Sequence, residues 1–194
     1  MTDSDSSRGK LIVGLGNPGR QYLDNRHNVG WMALDRVADI RGVHAEEERY
    51  EAMVARCGNL LLLKPLTYMN RSGRSVKRAL EVEQIELNHL LVVMDDVDLA
   101  LGSVRLRDCG SSGGHRGLES VIRQVGTDEI ARLRLGVGPC PAYIETSDFV
   151  LSDFGGDEMD ELDEMLERAA RAALCWAEEG PEAAMNRHNY TAPS

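Results

Sequence analysis

Short apolar runs that end in glycine or polar residues recur along the chain and predict buried strands. Residues 90–94 consist only of leucine, valine and methionine, and residues 10–15 contain four apolar residues with a glycine near the end. Such continuous runs are typical of strands that are covered on both faces. Further strands are predicted at residues 52–57 and 60–64, joined by a tight turn at Gly58 and Asn59, at residues 104–107 on a sheet edge, and at residues 132–137.

Apolar residues at helical spacing predict helices between these strands. Val29, Ala33, Val37 and Ile40 form one such stripe, with Asn25 or Asn28 as its N-cap and Gly42 as its stop. Other helices are predicted near residues 72–80 and 118–124, and an acidic amphipathic helix from Met159 to Ala177 that ends at Gly180 and Pro181. Alternating strands and helices predict an α/β single-domain sandwich, a mixed twisted β-sheet flanked by helices.

The length and composition fit one domain. With 194 residues and 42% hydrophobic content, the chain can fill one core but not two ordinary ones. We expect a domain at residues 10–188, with tails lacking any sign of order at residues 1–9 and 189–194. No apolar run approaches the roughly 20 residues that cross a bilayer, and the first residues lack the features of a signal peptide, so we expect a cytoplasmic protein without membrane contact.

Charge and cysteine distribution narrow the function classes. The net charge of −10 argues against a nucleic-acid partner, but residues 151–194 carry 11 acidic and 3 basic side chains and hold most of it. Between Gly102 and Gly136 the sequence has six arginines and only four acidic residues. This excess allows either a local basic face or ordinary solvated arginines. The four cysteines are scattered and form no zinc-ligand pattern: Cys57, Cys109, Cys140 and Cys175. We therefore expect no metal and no disulfide framework.

A glycine-rich segment follows the first predicted strand. Residues 14–19 match the G-x-G-x-x-G pattern of dinucleotide sites. The context argues against that function, because Pro18 and the polar residues 20–28 do not open a helix at the third glycine. The glycines instead indicate a tight turn that carries Asn17 over the sheet edge.

Two polar groups lie where catalytic side chains often occur, after predicted strands. His27 follows the glycine turn, and Asp95, Asp96 and Asp98 follow the strand at residues 90–94. The acidic cluster has three interpretations: a metal site, turn chemistry, or a carboxylate that orients a histidine base. Spacing alone leaves these open, and the catalytic interpretation requires His27 and Asp95 to meet in the fold.

Four blocks of sequence resemble bacterial-type peptidyl-tRNA hydrolases. They occur in the order and spacing of that family: residues 11–19 with Arg26, His27 and Asn28, residues 64–73, residues 95–99, and residues 113–118. The likeness extends over about residues 10–188. It implies a metal-free and cofactor-free esterase that acts as a monomer. This enzyme would cleave the ester between a peptide and tRNA and thereby recycle tRNA for translation.

The resemblance also implies residue roles. His27 is the expected general base for water and Asp95 its orienter. Asn17 would sense the acylated nitrogen and Asn70 would bind near the scissile ester, since carboxamides donate and accept without charge. The remaining implied contacts are Tyr22 and Tyr68 with the peptide and terminal adenosine, His115 and Arg116 with substrate, and Arg105, Arg107 and Arg134 with phosphates of the acceptor stem and 3′ end.

One departure from the family pattern concerns the glycine-rich loop. The family usually has asparagine after its histidine, whereas Arg116 follows His115 here, so a fixed cation replaces a neutral amide. Two other functions therefore stay open: a non-catalytic RNA-binding relative on the same fold, and a general esterase or peptidase for small N-acylated substrates. Intact His27 and Asp95 argue against the first, although Arg116 favours it. The second would leave the arginine-rich segment without a function.

Overall fold

The computed structural model describes residues 9–43 and 46–193 and contains one seven-stranded sheet with helices on both faces. The strands are β1 Lys10–Gly14, β2 Glu47–Arg49, β3 Ala52–Cys57, β4 Leu60–Pro65, β5 Leu90–Ala100, β6 Val104–Arg107 and β7 Ala131–Gly138. The helices are α1 Val29–Arg41, α2 Ser72–Glu83, α3 Arg116–Val125, α4 Thr146–Val150, α5 Met159–Glu179 and α6 Pro181–His188. The α/β sandwich with a mixed sheet that the sequence predicts is confirmed.

The sheet has a parallel centre and antiparallel edges, in the order β2-β3-β4-β1-β5-β7-β6. Strand β1 pairs in parallel with β4 and β5, and β5 pairs in parallel with β7. Strands β2, β3 and β4 form antiparallel pairs at one edge, and β6 pairs antiparallel with β7 at the other. The expected edge position of residues 104–107 is therefore confirmed.

Both faces of the sheet are buried, which explains the continuous apolar runs in its central strands. In β1, Ile12 packs into a core with α1, α5 and α6, whereas Leu11 and Val13 pack into a second core with α2 and α3. All three side chains are fully buried. Successive side chains of a strand point to opposite faces, so one strand contributes to both cores.

The strand order creates a crevice beside the carboxyl ends of β1 and β5. From β1 the chain continues through α1 toward the edge that contains β2, whereas from β5 it continues toward the edge that contains β6. Neighbouring strands whose connections diverge in this way leave an opening at their carboxyl ends, where α/β proteins bind ligands. The segment after β1 carries His27, and β5 carries Asp95.

Strand β5 is longer than the sequence predicts. We expected a strand at residues 90–94 with acidic residues after it, but β5 continues to Ala100 through an irregularity between Asp96 and Ala100. The extension forms because β7 supplies partners, with Asp95 opposite Leu135. Asp95 is thus held by pairing within the sheet rather than in a loop.

The end of the chain also differs from expectation. We assigned residues 189–194 to a tail without order, but the described part packs against the edge strand β6. The backbones of Tyr190 and Val104 exchange two hydrogen bonds of 2.8 and 2.9 Å, and Ala192 is buried. An edge strand has unpaired backbone groups, and this segment satisfies some of them. In the expected N-terminal tail, residues 1–8 lie outside the described residues. Within residues 9–43 and 46–193, no helix has the length and apolar character needed to span a membrane.

Candidate active site

His27 lies in a single 3-10 turn, Arg26–Asn28, that connects the loop after β1 to helix α1. Arg26, the residue before His27, anchors this turn. The Arg26 guanidinium donates to both carboxylate oxygens of Glu158, at 3.0 and 2.6 Å, and lies 4.7 Å from the ring centres of Phe149 and Phe154. Its backbone N–H donates to the carbonyl of Ser152 at 3.0 Å. The backbone that carries His27 is therefore fixed by a partly buried ion pair whose guanidinium also contacts two aromatic rings.

The structure brings His27 and Asp95 into direct contact. Nδ1 of His27 lies 2.8 Å from Oδ1 of Asp95. The Asp95 side chain is buried, while the His27 ring is partly exposed to the cleft. The catalytic interpretation requires His27 and Asp95 to meet in the fold. They do meet, because these two residues, 68 positions apart in sequence, form one hydrogen bond.

A second histidine shares the same carboxylate oxygen. Nε2 of His115 lies 2.9 Å from Oδ1 of Asp95. The other ring nitrogen, Nδ1, accepts the backbone N–H groups of Gly117 and Leu118 at 3.2 Å each, so His115 caps the N-terminus of α3. Both ring nitrogens are therefore engaged within the protein. A substrate contact through either nitrogen, as the sequence analysis expects, would require one of these bonds to break.

Asp95 remains ionised in spite of its burial. Desolvation alone would raise the pKa of this carboxyl, but electrostatic attraction and hydrogen bonds from His115 and His27 outweigh it and hold the pKa far below the usual range. A buried carboxylate that accepts two N–H groups is thus a permanent acceptor near neutral pH. It can fix the tautomer of His27 throughout that range.

Asn17 is held in place by another asparagine. The backbone N–H and carbonyl of Asn17 bond to the Asn28 side chain at 2.9 and 3.0 Å, and the Asn17 Oδ1 accepts the N–H of Met69 at 2.8 Å. We expected Asn25 or Asn28 to cap α1. Asn28 does occupy the N-cap position, but its side chain makes no cap bond because it holds Asn17 instead.

These residues line a cleft with a volume of about 920 Å³. The predicted site residues that line it are Asn17, His27, Tyr68, Asn70, Asp95, Arg107, His115, Arg116 and Arg134. At its rim the Tyr68 side chain is 60% exposed, and Asn70 and Arg116 are also exposed. Tyr22 lies in a 3-10 turn at residues 20–22 and is not part of this lining, and neither is Arg105. The structure therefore brings together nine of the eleven predicted site residues.

Arginines cluster on β6 and β7 beside the cleft. Arg105 lies opposite Arg134, and Arg107 opposite Arg132, so all four side chains leave the same face of the sheet. Arg134 is paired with Asp96, and Arg132 is buried against four backbone carbonyls. Arg105 donates to the hydroxyl of Thr191 at 3.0 Å, and Arg107 to its neighbouring carbonyl. Within the described ranges, neither of these two cations has an acidic partner.

The atoms of His27, Asp95 and His115 lie close enough together to consider a metal ion. The hydrogen-bond pattern fits such an ion poorly. Coordination by Nε2 of His115 would require that nitrogen to lose its proton, and the proton would move to Nδ1, where Gly117 and Leu118 already donate. The three side chains are satisfied as a hydrogen-bonded group instead.

Sequence reasoning missed the supporting roles of three residues, Arg26, Asn28 and His115. Arg26 and Asn28 flank His27, so their position next to the expected base was the one available signal. The bond of His115 to Asp95 had no signal, because the two residues come from different parts of the chain.

Comparisons with known proteins agree with the geometry. Residues 11–194 match the family model described as peptidyl-tRNA hydrolase. A peptidyl-tRNA hydrolase of Symbiobacterium thermophilum is 48% identical over 187 residues, covering 93% of this chain and 98% of the relative. One from an Exiguobacterium species is 43% identical, covering 93% and 100%. The crystal structure of peptidyl-tRNA hydrolase from Acinetobacter baumannii has a TM-score of 0.87 at 33% identity, with 97% and 98% covered. The chain therefore belongs to the peptidyl-tRNA hydrolase family.

Proposed function

We propose that this protein hydrolyses the ester that joins a peptide to the terminal ribose of tRNA, with water activated by His27. The observation that carries the proposal is the 2.8 Å contact of His27 Nδ1 with buried Asp95 inside the cleft. Family membership gives the substrate class. The fold supplies both members of the pair from one chain, so we propose a monomer that needs no second copy, acting in the cytoplasm where it would return tRNA to translation.

The tautomer of His27 determines its chemistry. An ionised Asp95 accepts the Nδ1 proton, which leaves the Nε2 lone pair free to remove a proton from water. The water oxygen then attacks the ester carbon, and the tetrahedral intermediate collapses with the ribose oxygen as leaving group. The imidazolium returns its proton to that oxygen, and Asp95 stabilises the cation while it exists. No covalent enzyme intermediate and no metal is required.

We assign Asn17 to recognition of the peptide. Its Oδ1 is occupied by the backbone of Met69, so the amide N–H₂ is the group left for a ligand in the cleft. A donor at this position suits the carbonyl of an N-acylated amino acid and would separate peptidyl esters from free aminoacyl esters. Asn70, exposed at the rim, is the second amide and would stabilise the developing oxyanion.

The arginine cluster fits the tRNA backbone. Arg105 and Arg107 have no acidic partner within the described ranges, so phosphates would supply the missing negative charge, while Arg134 is already paired with Asp96. We assign Arg105, Arg107 and Arg134 to phosphates of the acceptor stem and 3′ end. Arg116 at the cleft rim would contact a phosphate or carbonyl. Tyr68 would stack on the terminal adenosine, and Tyr22, outside the lining, would reach only a longer peptide.

Release of an N-blocked amino acid from charged tRNA tests the proposal. We expect turnover with the N-blocked ester, little with the unblocked ester, and no effect of EDTA. His27→Ala should lower kcat by about 10²- to 10⁴-fold while tRNA binding persists. His188→Ala is the matched control, because His188 lies in α6 and lines a different cavity.

Three results would contradict parts of the proposal. Turnover close to wild type in His27→Ala would remove His27 from the mechanism. Inhibition by EDTA would contradict metal-free hydrolysis. Affinity that hardly changes between low and moderate salt would indicate a small-molecule esterase, because neutralising tRNA phosphates makes binding steeply salt-dependent.

A further inference from the structure

Asp95 Oδ1 accepts hydrogen bonds from two imidazoles that come from different segments of the chain, one before α1 and one before α3. We propose that His115 is a positioning residue: helix α3 locks its tautomer, and through Asp95 it sets how strongly the carboxylate acts on His27. This inference rests on the proposed function, since it assigns His27 as the base.

The lock on His115 is a consequence of the helix terminus. The first N–H groups of a helix have no partner within the helix. Here Gly117 and Leu118 direct theirs at Nδ1 of His115, which can accept only with its lone pair. The ring proton of neutral His115 must therefore reside on Nε2, the nitrogen that faces Asp95. The α3 terminus thus determines that His115 donates this proton to the carboxylate of Asp95.

The shared oxygen constrains Asp95 in two ways. Two donors that converge on one oxygen from different directions fix the rotation of the carboxylate, because any rotation lengthens at least one bond. The two rings are 5.0 Å apart and tilted by 49°, so they contact the oxygen without stacking. Each donor also takes up part of the negative charge. With His115 absent, more of that charge would act on His27 and would stabilise its imidazolium.

Other charged groups face the same cleft and must be considered in any pH effect. They are Asp96, Asp98, Arg107, Arg116, Arg132 and Arg134. Arg134 is paired with Asp96, and Arg132 is bound by backbone carbonyls. Apart from Asp95, no acidic group among the described residues contacts either imidazole. A change at His115 leaves all six unchanged, so a difference in pH dependence would report on Asp95.

Two substitutions separate the cap from the contact with Asp95. In His115→Ser, a hydroxyl can still cap α3 but is too short to reach Asp95, whereas His115→Ala removes both interactions. We expect the acid limb of the kcat profile to move to higher pH by about half to one unit in both variants, because one hydrogen bond to a carboxylate is lost. KM should stay unchanged in both. The melting temperature should be lower for the alanine variant than for the serine variant.

Either of two kinetic results would overturn the proposal. One is an acid limb at its wild-type position in both variants. The other is a raised KM with an unmoved limb, which would make His115 a substrate contact. A ¹⁵N NMR spectrum of the wild-type imidazoles keeps the test independent of variant folding: the proton of neutral His115 should reside on Nε2, and a proton on Nδ1 would refute the lock.

The experiments distinguish a failure of the role of His27 from a failure of the positioning role of His115. If His27→Ala keeps full turnover, the proposed role of His27 is wrong, but the NMR measurement of the His115 tautomer still stands. If His27→Ala loses turnover and the His115 variants keep the wild-type profile, the enzyme assignment stands and the positioning role is wrong.

Discussion

Replacing Asp95 by asparagine separates the charge of this side chain from its geometry. Both imidazoles donate to Oδ1, and the carbonyl oxygen of an asparagine can accept both bonds. The locked Nε2–H of His115 also selects this orientation, because an amide N–H₂ turned toward it would set two donors against each other. We therefore expect Asp95→Asn to keep the productive tautomer of His27 and to lose only the negative charge.

The size of the effect follows from the difference between charged and neutral hydrogen bonds. Bonds to charged groups contribute about 1.5–3 kcal/mol and neutral ones about 0.5–1.5 kcal/mol. The imidazolium that forms during hydrolysis would thus lose about 1 to 2 kcal/mol of stabilisation. This corresponds to a decrease in kcat of roughly 5- to 30-fold. A reversed tautomer in a catalytic triad costs far more, about 10⁴-fold.

Single-turnover hydrolysis of an N-acetylated aminoacyl-tRNA measures this step without product release. Asp95→Ala is the comparison, because it removes the acceptor altogether and should lower the rate toward the full general-base contribution of about 10²- to 10⁴-fold. The reasoning is refuted if Asp95→Asn is as slow as Asp95→Ala, since the amide would then have failed to preserve the geometry.

Two further predictions concern stability. Burial raises the pKa of Glu158, but bonds from Arg26 and the Gly155 N–H lower it overall, so its stabilisation is present above about pH 4.3 and is lost as the pH falls below that value. Glu158→Gln keeps neutral hydrogen bonds in place of charged ones, so it should be about 1 to 2 kcal/mol less stable than wild type in urea at pH 7. This gap should narrow as the pH falls below about 4.3, and a constant gap would contradict the reasoning. In Gly73→Ala, the added Cβ would lie 2.1 Å from the carbonyl oxygen of Ser120, which should cost about 1–3 kcal/mol, whereas Gly156→Ala meets open space and should change stability little.

Much of the fold could be predicted because buried strands and helices show local patterns of apolar residues in the sequence. The β1 run reads as a strand because helices cover it on both sides, and the stripe of α5 reads as a helix because one face packs on the sheet. The tight turn at Gly58 and Asn59 also follows from neighbouring residues. Two elements show no such pattern and were not predicted. Strand β2 has only exposed residues, and α4 has five residues, too few for a periodic pattern.

The sequence by itself was enough to name the residues that we propose for the chemistry: His27, Asp95, Asn17 and Asn70 could be named from their types, spacing and family likeness. Only the tertiary structure decided how they are supported. The contact of His115 with Asp95, the pairing of Arg26 with Glu158, and the hydrogen bonds of Asn28 to Asn17 each join residues 11 to 132 positions apart. Hydrogen bonds of this kind depend on which strands are neighbours and on their register, and no local pattern of hydrophobic and polar residues encodes strand order.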